Sequence, residues 1–332
     1  MAILINEKLY DVVYYVSKTG SDANDGLTVT TPKLTIGAAI ALVSAGDAIL
    51  VGPGTYTAAT DTAFLIPNNV DLIGSGRNNT IITANSAQVA LTEEGCIVKP
   101  GTNSLIQGLT IKGTSPSTYQ ACVGAYNDGA GVLQAAFTNA LVRDCWLDAG
   151  TDGVYLGGGS LGVSDITLED CLITTQWHAV VAFNDTTSLM KIRMRNCVLE
   201  AVGPSSIVGG QLSSGTAAVA CRLKAAIYAH NCVLRAADGP SGFQQSPATT
   251  PLGTSALHVY EDSSVTGYPF VLLESCALHA KSSNGGLVLD IRNDETGAEA
   301  AIYAMNCAYR SAQGGGITGV PTSGVWMRQY QG

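Results

Sequence analysis

Hydrophobic and polar residues alternate in short runs along most of this chain, and the runs break at the same kind of place. In Ile192-Arg193-Met194-Arg195-Asn196-Cys197-Val198-Leu199, Ile192 and Met194 share one face and Arg193 and Arg195 the other, the two-residue period of a half-buried strand. Asn196 interrupts the alternation, and Asn and Asp tolerate the left-handed conformation that a tight corner needs. Beyond the corner, Cys197 and Leu199 are expected to face inward and Val198 outward. The pattern returns around Cys145, Cys171, Cys197, Cys232, Cys276 and Cys307, with steps of 26, 26, 35, 44 and 31 residues. A short strand–corner–strand unit repeating on that scale predicts stacked coils. Ser104–Ile111 fits the same template with Leu109 in place of the cysteine.

The first 57 residues read differently. Val12–Val16 predicts a strand and Ser17–Gly26 a polar, turn-rich loop. Thr31-Pro32 predicts a helix start, with Thr31 as N-cap, and Ile36, Ala39, Ile40 and Val43 supply one apolar stripe. A buried strand, Ala48–Val51, and a Gly52-Pro53-Gly54 turn follow. Asp22, Asn24 and Asp25 lack the distal glutamate of a calcium-binding loop and read as Asx turns.

Composition narrows the function classes. Hydrophobic residues make up 46% and charged residues 13% of 332, which excludes a disordered chain. A net charge of −9 weighs against nucleic acid as a partner, since phosphate binding needs a basic surface. No signal peptide is expected, because Asn6, Glu7 and Lys8 end the opening apolar run, and no run reaches membrane-spanning length. Nine cysteines without an export signal read as free thiols made in a reducing cytoplasm. Spaced one per coil, Cys145, Cys171, Cys197, Cys232, Cys276 and Cys307 are expected to form a structural ladder, not a metal site; no cofactor is expected.

The segment Tyr15-Val16-Ser17, Gly20-Ser21-Asp22, Asn24-Asp25-Gly26, Thr35–Ile40, Gly46-Asp47 and Val51–Tyr56 resembles the N-terminal cap of pectin-lyase-like right-handed parallel β-helices, and among these most the β-helix proteins of phage virions. The resemblance covers about residues 14–57 and concerns fold, not activity. It implies an all-β, single-stranded right-handed parallel β-helix with an N-terminal capping helix. The expected organisation is one continuous domain: lead-in and cap over 1–57, coils over 58–310, and a C-terminal cap or arm over 311–332. About eight coils at roughly 4.8 Å each would make a rod roughly 40 Å long. Two insertions, 203–216 and 238–253, are expected to leave the solenoid surface.

The outward position after each corner is apolar in four successive coils, at Trp146, Leu172, Val198 and Val233. Such a stripe is a candidate subunit interface, and virion β-helices commonly pack side by side as trimers. No catalytic constellation of the related enzymes is recognisable. Weak catalytic candidates are Asp290, Arg292 and Asp294, an acid pair beside an arginine. A second group is Asp148 and Asp152 near Asp165. Lys191, Arg193 and Arg195 form a small basic strip expected to be solvated or paired with Glu169 of the preceding coil, and not a ligand site. Together these features imply a non-enzymatic structural protein on a virion surface, a homotrimer of capsid-decoration, head-fibre or short-spike type. Its expected partners are other capsid or tail proteins and a host-surface polysaccharide, and neither nucleic acid nor membrane. The alternative is a carbohydrate-active β-helix enzyme, a tailspike depolymerase or polysaccharide lyase.

Overall fold

A computed structural model describes residues 3–5, 7–57, 63–83, 96–113, 121–127, 137–158, 164–183, 189–203, 216–222, 225–237, 254–261, 269–281, 287–293, 301–311 and 326–330. Three parallel sheets of eleven, nine and eight strands stack along one axis, each strand pairing with its counterpart in the next coil. A typical coil runs from Met190–Arg195 in the first sheet, through the corner Asn196-Cys197, to Val198–Val202 in the second sheet, and then to Ala217–Arg222 in the third. The eleven first-sheet strands correspond to a rod of roughly 50 Å, longer than the cysteine repeat alone indicates. Four of the extra strands lie before Cys145, where the motif carries other residues, and the fifth, Trp326–Tyr330, follows Cys307.

The alternation explains the strands. Ile192 and Met194 are buried while Lys191 and Arg193 are half-exposed, and Ser164–Glu169 shows the same pattern one coil earlier. The inward set from all three sheets forms one continuous apolar core. The corner residues Asp144, Asp170, Asn196, Asn231, Ser275 and Asn306 all have φ between 49° and 54°. They adopt the left-handed conformation because one residue must reverse the pleat between two sheets. Gly108, at φ 67°, makes the same corner one coil before Asp144, and Leu109 behind it is fully buried. Asn69, Asn103 and Asn139 form a further left-handed series at the entry to the first sheet. Their amides bond in sequence, Asn103 to Asn69 and Asn139 to Asn103, each at 3.0 Å. The same device links Asn231 to Asn196 at 2.9 Å and Asn196 to Asp170 at 3.1 Å.

The N-terminal end differs from the expectation in two respects. The helix spans Ile36–Ile40 and its N-cap is Thr35, whose hydroxyl accepts from the Ala38 N–H at 3.2 Å; it does not start at Thr31-Pro32. Two interactions hold the intervening residues extended. Lys33 bridges Val16 of the first strand, and Asp22 accepts from the Leu34 and Thr35 N–H groups at 2.9 Å each. Secondly, the lead-in is a β-hairpin, Ile3–Ile5 against Lys8–Tyr10, turned through Glu7 at φ 67°. Its inner face packs on Val13, Ala48 and Ile73, on the outside of the first sheet. Asp71 latches it: this fully buried carboxylate accepts from Lys8 Nζ at 2.7 Å, the Tyr10 hydroxyl at 2.6 Å and the Leu105 N–H at 3.0 Å.

Near the other end, Trp326–Tyr330 pairs in parallel with Ala301–Met305 and continues the first sheet. Most of both insertions, 204–215 and 238–253, lies outside the described residues.

Candidate functional site

A solenoid of this kind presents its chemistry on the outward positions of its sheets and along its interior ladders. The cysteine ladder is interior. Cys145, Cys171, Cys197, Cys232 and Cys276 are buried, and Cys307 is half-buried. Each thiol donates to the carbonyl two residues earlier, at 3.2–3.3 Å. Most also lie close to a carbonyl of the preceding coil, as Cys197 does to Leu168 at 3.4 Å. Burial pushes the Cys145 thiol up to about 12, and the neighbouring Cys171 thiol is the main cause that takes Cys197 to about 12. Thiols held protonated are neither nucleophiles nor ligands at neutral pH. Among the described residues no group of three His, Cys, Asp or Glu side chains is placed to hold a metal ion.

On the second sheet, strand register puts Thr110, Trp146, Leu172, Val198, Val233, Ala277 and Ala308 in one column. Trp146, Leu172, Val198 and Val233 are half-buried and Ala277 and Ala308 exposed, whereas Thr110 is buried, its hydroxyl donating to the Arg77 carbonyl. The stripe is therefore continuous but one residue wide. One flank is the charged column Lys112, Asp148, Thr174, Glu200, Arg235, tied by Arg235–Glu200 at 2.6 Å and Trp146 Nε1–Thr174 at 2.9 Å. The other flank carries Arg77, ion-paired with Asp144 at 2.9 Å.

The first sheet carries the denser chemistry. Arg143 donates twice to Glu169, at 2.8 and 3.0 Å, and Arg195 lies 3.7 Å from the other oxygen of that carboxylate. Arg193 pairs with Asp165 and sits over the Tyr228 ring, 5.8 Å from its centre. Phe270 lies 5.5 Å from Tyr228 and 5.7 Å from Tyr303, tilted by 43° and 40°. Together with Arg195, His230, Leu272 and Glu274, Arg193 and Tyr228 line an open groove of about 550 Å³. The aromatic run is hidden in the sequence because Tyr228 and Tyr303 share one register column with Leu272 between them, while Phe270 belongs to the column of Ala226 and Ala301. The available signal was the exposed-phase position of each ring within its own strand.

The third sheet holds a buried side-chain hydrogen bond between an acid and a histidine. Asp152 and His178 are adjacent in register, both are under 10% exposed, and Asp152 Oδ1 lies 2.9 Å from His178 Nδ1. An aspartate orienting a histidine is half of a general-base arrangement, but the next residue in that column is Ala217, which offers no nucleophile. The grouping of Asp148, Asp152 and Asp165 does not form. Asp148 lies on the second sheet with Thr174 and Lys112, Asp152 on the third and Asp165 on the first, because the corners between them turn each onto a different face. Asp290 and Arg292 belong to the third-sheet strand Leu287–Asn293, in register with His258 and Tyr260, and Asp294 lies outside the described residues. The cap-loop acids serve the backbone as Asx turns: Asp25 accepts from the Leu27 N–H and the Thr31 hydroxyl.

Structural comparison finds the same fold in pectin methylesterases and in a phage protein. Pectin methylesterase PemA from Erwinia chrysanthemi superposes with a TM-score of 0.54 at 16% identity, covering 97% of this chain and 93% of that one. Carrot pectin methylesterase gives 0.58 at 13% identity, over 97% and 89%. ORF18 of Geobacillus virus E2 gives 0.52 at 12%, over 89% of this chain and 57% of that one. Identities this low establish shared fold alone. A search of the curated proteins matches none of them. A family model does match, over residues 18–199, more than half of the chain, and by that match the chain belongs to the family described as protein of unknown function DUF1565.

Proposed function

We propose that this chain is a structural β-helix of a phage virion, assembling side by side into a homotrimer at the virion surface and contacting capsid or tail proteins there. The observation that supports this reading is the straight outward column Trp146–Leu172–Val198–Val233, one apolar side chain per coil at constant register. A rigid rod with a repeating stripe is suited to association along its length, since every coil contributes the same contact. The fold shared with a protein of Geobacillus virus E2 is compatible with such a setting. The test is mass in solution. Light scattering is expected to give three times the 34.1 kDa chain mass, and Leu172→Asp with Val198→Asp to give the single-chain mass with an unchanged circular dichroism spectrum. A monomeric wild type would overturn the trimer.

The second reading is a carbohydrate-active enzyme. The buried Asp152–His178 contact favours it, as the kind of pair that can hold a proton in place. Release of reducing or unsaturated ends from polysaccharides, abolished by His178→Gln, would replace the first reading with this one.

A further inference from the structure

The corner between the first and second sheets carries no insertion. From Gln107 onward every connection from a first-sheet strand to the second-sheet strand of its coil is two residues long, as at Asp144-Cys145, Asn196-Cys197 and Asn306-Cys307. The lengths that vary are those of the other two connections, as at 203–216, 238–254 and 294–300. The corner residues therefore form a straight ridge with a strip of sheet on either side. One strip is the second-sheet stripe of Leu172, Val198 and Val233, which stands next to the ridge. The other holds Arg193, Tyr228, Leu272 and Tyr303 in one register column of the first sheet, all half-exposed.

Resting on the homotrimer reading above, we propose that this ridge lines the three-fold axis, so that the first-sheet strip of each copy packs on the second-sheet strip of the next. A ring of three closes through a heterologous contact, in which two different patches of one chain must match. Cyclic symmetry leaves no axial offset. A residue therefore meets the residue of the next copy that lies in the same coil at the same distance from the ridge. Counted outward from the corner, Thr167 meets Thr174 of the next copy and Arg193 meets its Glu200. One coil on, Tyr228 meets Arg235, and in the last cysteine coil Tyr303 meets Arg310. The pairs are two hydroxyls, two opposite charges and, twice, a cation over a ring. Each face holds its half of the contact ready: Glu200 and Arg235 are bonded at 2.6 Å on one, and Arg193 lies over Tyr228 on the other. Leu141 and Asp148, in the coil before, do not complement each other, so the contact starts at the coil of Thr167. Nearer the N-terminus the first-sheet face is already taken by the hairpin.

Cross-linking at matched positions tests the pairing, while mass in solution tests the trimer beneath it. In a Cys307→Ala background, Thr167→Cys with Thr174→Cys is treated with a bismaleimide that spans the ~10 Å between packed sheets. A covalent trimer is expected on a denaturing gel, and none from either single-cysteine variant. Tyr303→Ala and Arg310→Ala, each with an unchanged circular dichroism spectrum, are expected to raise the concentration of half-dissociation about tenfold, since each removes three cation–ring contacts per trimer. A covalent dimer from a single-cysteine variant means an isologous contact and overturns the pairing. So does a trimeric wild type that yields no covalent trimer and ignores both alanine variants, a result that leaves the trimer itself standing. A monomeric wild type overturns the pairing and the trimer together.

Discussion

In the first three coils the outer face of the first sheet is closed by the N-terminal hairpin, whereas in the last coils, among the described residues, the same face is half-exposed. The closed end is small and apolar, with Val13, Ala48 and Ile73 packed under Tyr10, and one buried carboxylate, Asp71, takes three donors. The open end is amphipathic, with rings and cations that keep one side in water. The strand alternation is identical in both regions. A sheet's outward residues therefore record what covers them: dry aliphatics where the chain folds back, aromatic and charged side chains where it does not. The hairpin in turn shows Leu4 and Leu9 to solvent, 66% and 65% exposed, so the cover is itself only one layer deep.

The interiors of the two ends differ as well, and alkali should separate them with the largest effect. Behind the corners of the coils before Cys145 lie Gly54, Thr80 and Leu109, while the later coils carry the thiol ladder. Burial takes Cys145 to about 12, and contacts with neighbouring thiols take Cys197 to about 12 and Cys276 to about 11. Unfolded thiols ionise near ~8.5. Their stabilising contribution is thus complete below that pH and falls as pH rises toward 11–12, because only the unfolded chain releases the protons. Tyr10 is also pushed up, by burial first and Asp71 second, but unfolded tyrosine ionises near ~10, so the hairpin's loss begins later. Hydrogen exchange at stepped pH is expected to open the cysteine coils before the hairpin-covered ones. Cys197→Ala with Cys232→Ala should flatten the pH slope. Simultaneous opening of both ends would remove the distinction.

A pair of ring deletions probes the two faces directly. Tyr10→Ala removes a fully buried ring and one of the three donors to Asp71, and should cost about 4 kcal/mol in urea unfolding. Tyr303→Ala, on the open face, loses one tilted ring contact and should cost about 1 kcal/mol in the dissociated chain. Equal costs would mean that another chain still covers this face.

The sequence made the open coils legible and the covered face opaque, for physical reasons. A left-handed corner admits few residues, so Asp144, Asp170, Asn196, Asn231 and Asn306 recur beside cysteine and advertise the repeat. The hairpin has no such signal: its turn passes through Glu7 where Asn or Gly would have marked it. Asp71 looks like any strand-end acid until Lys8 and Tyr10 are seen to fold back 63 and 61 residues. The helix starts later than its local signal for a similar reason, since Thr31-Pro32 has the right local chemistry but Asp22 holds Leu34 and Thr35 from a distant loop. The outward stripe from Trp146 to Val233 could be aligned from the cysteines alone. The Tyr228–Phe270–Tyr303 strip could not, because Leu272 holds the register position between the two tyrosines and Phe270 stands two residues away, in line with Ala226 and Ala301.

The smallest effect sharpens the comparison most finely, because it asks whether the open face is organised before anything binds. Arg193 keeps its guanidinium over Tyr228 while pairing with Asp165. Arg193→Lys preserves a charge for Asp165 but loses the planar stack. A double-mutant cycle with Tyr228→Ala should therefore return a coupling of about 0.5 kcal/mol, as expected for a cation over an exposed ring. That value would persist in 0.5 M salt if the ring contact supplies it, since stacking is less screened than the ion pair. A coupling that vanishes in salt would assign it to Asp165 instead, and the aromatic strip would then be a set of independent surface rings with no preset geometry for a neighbouring chain.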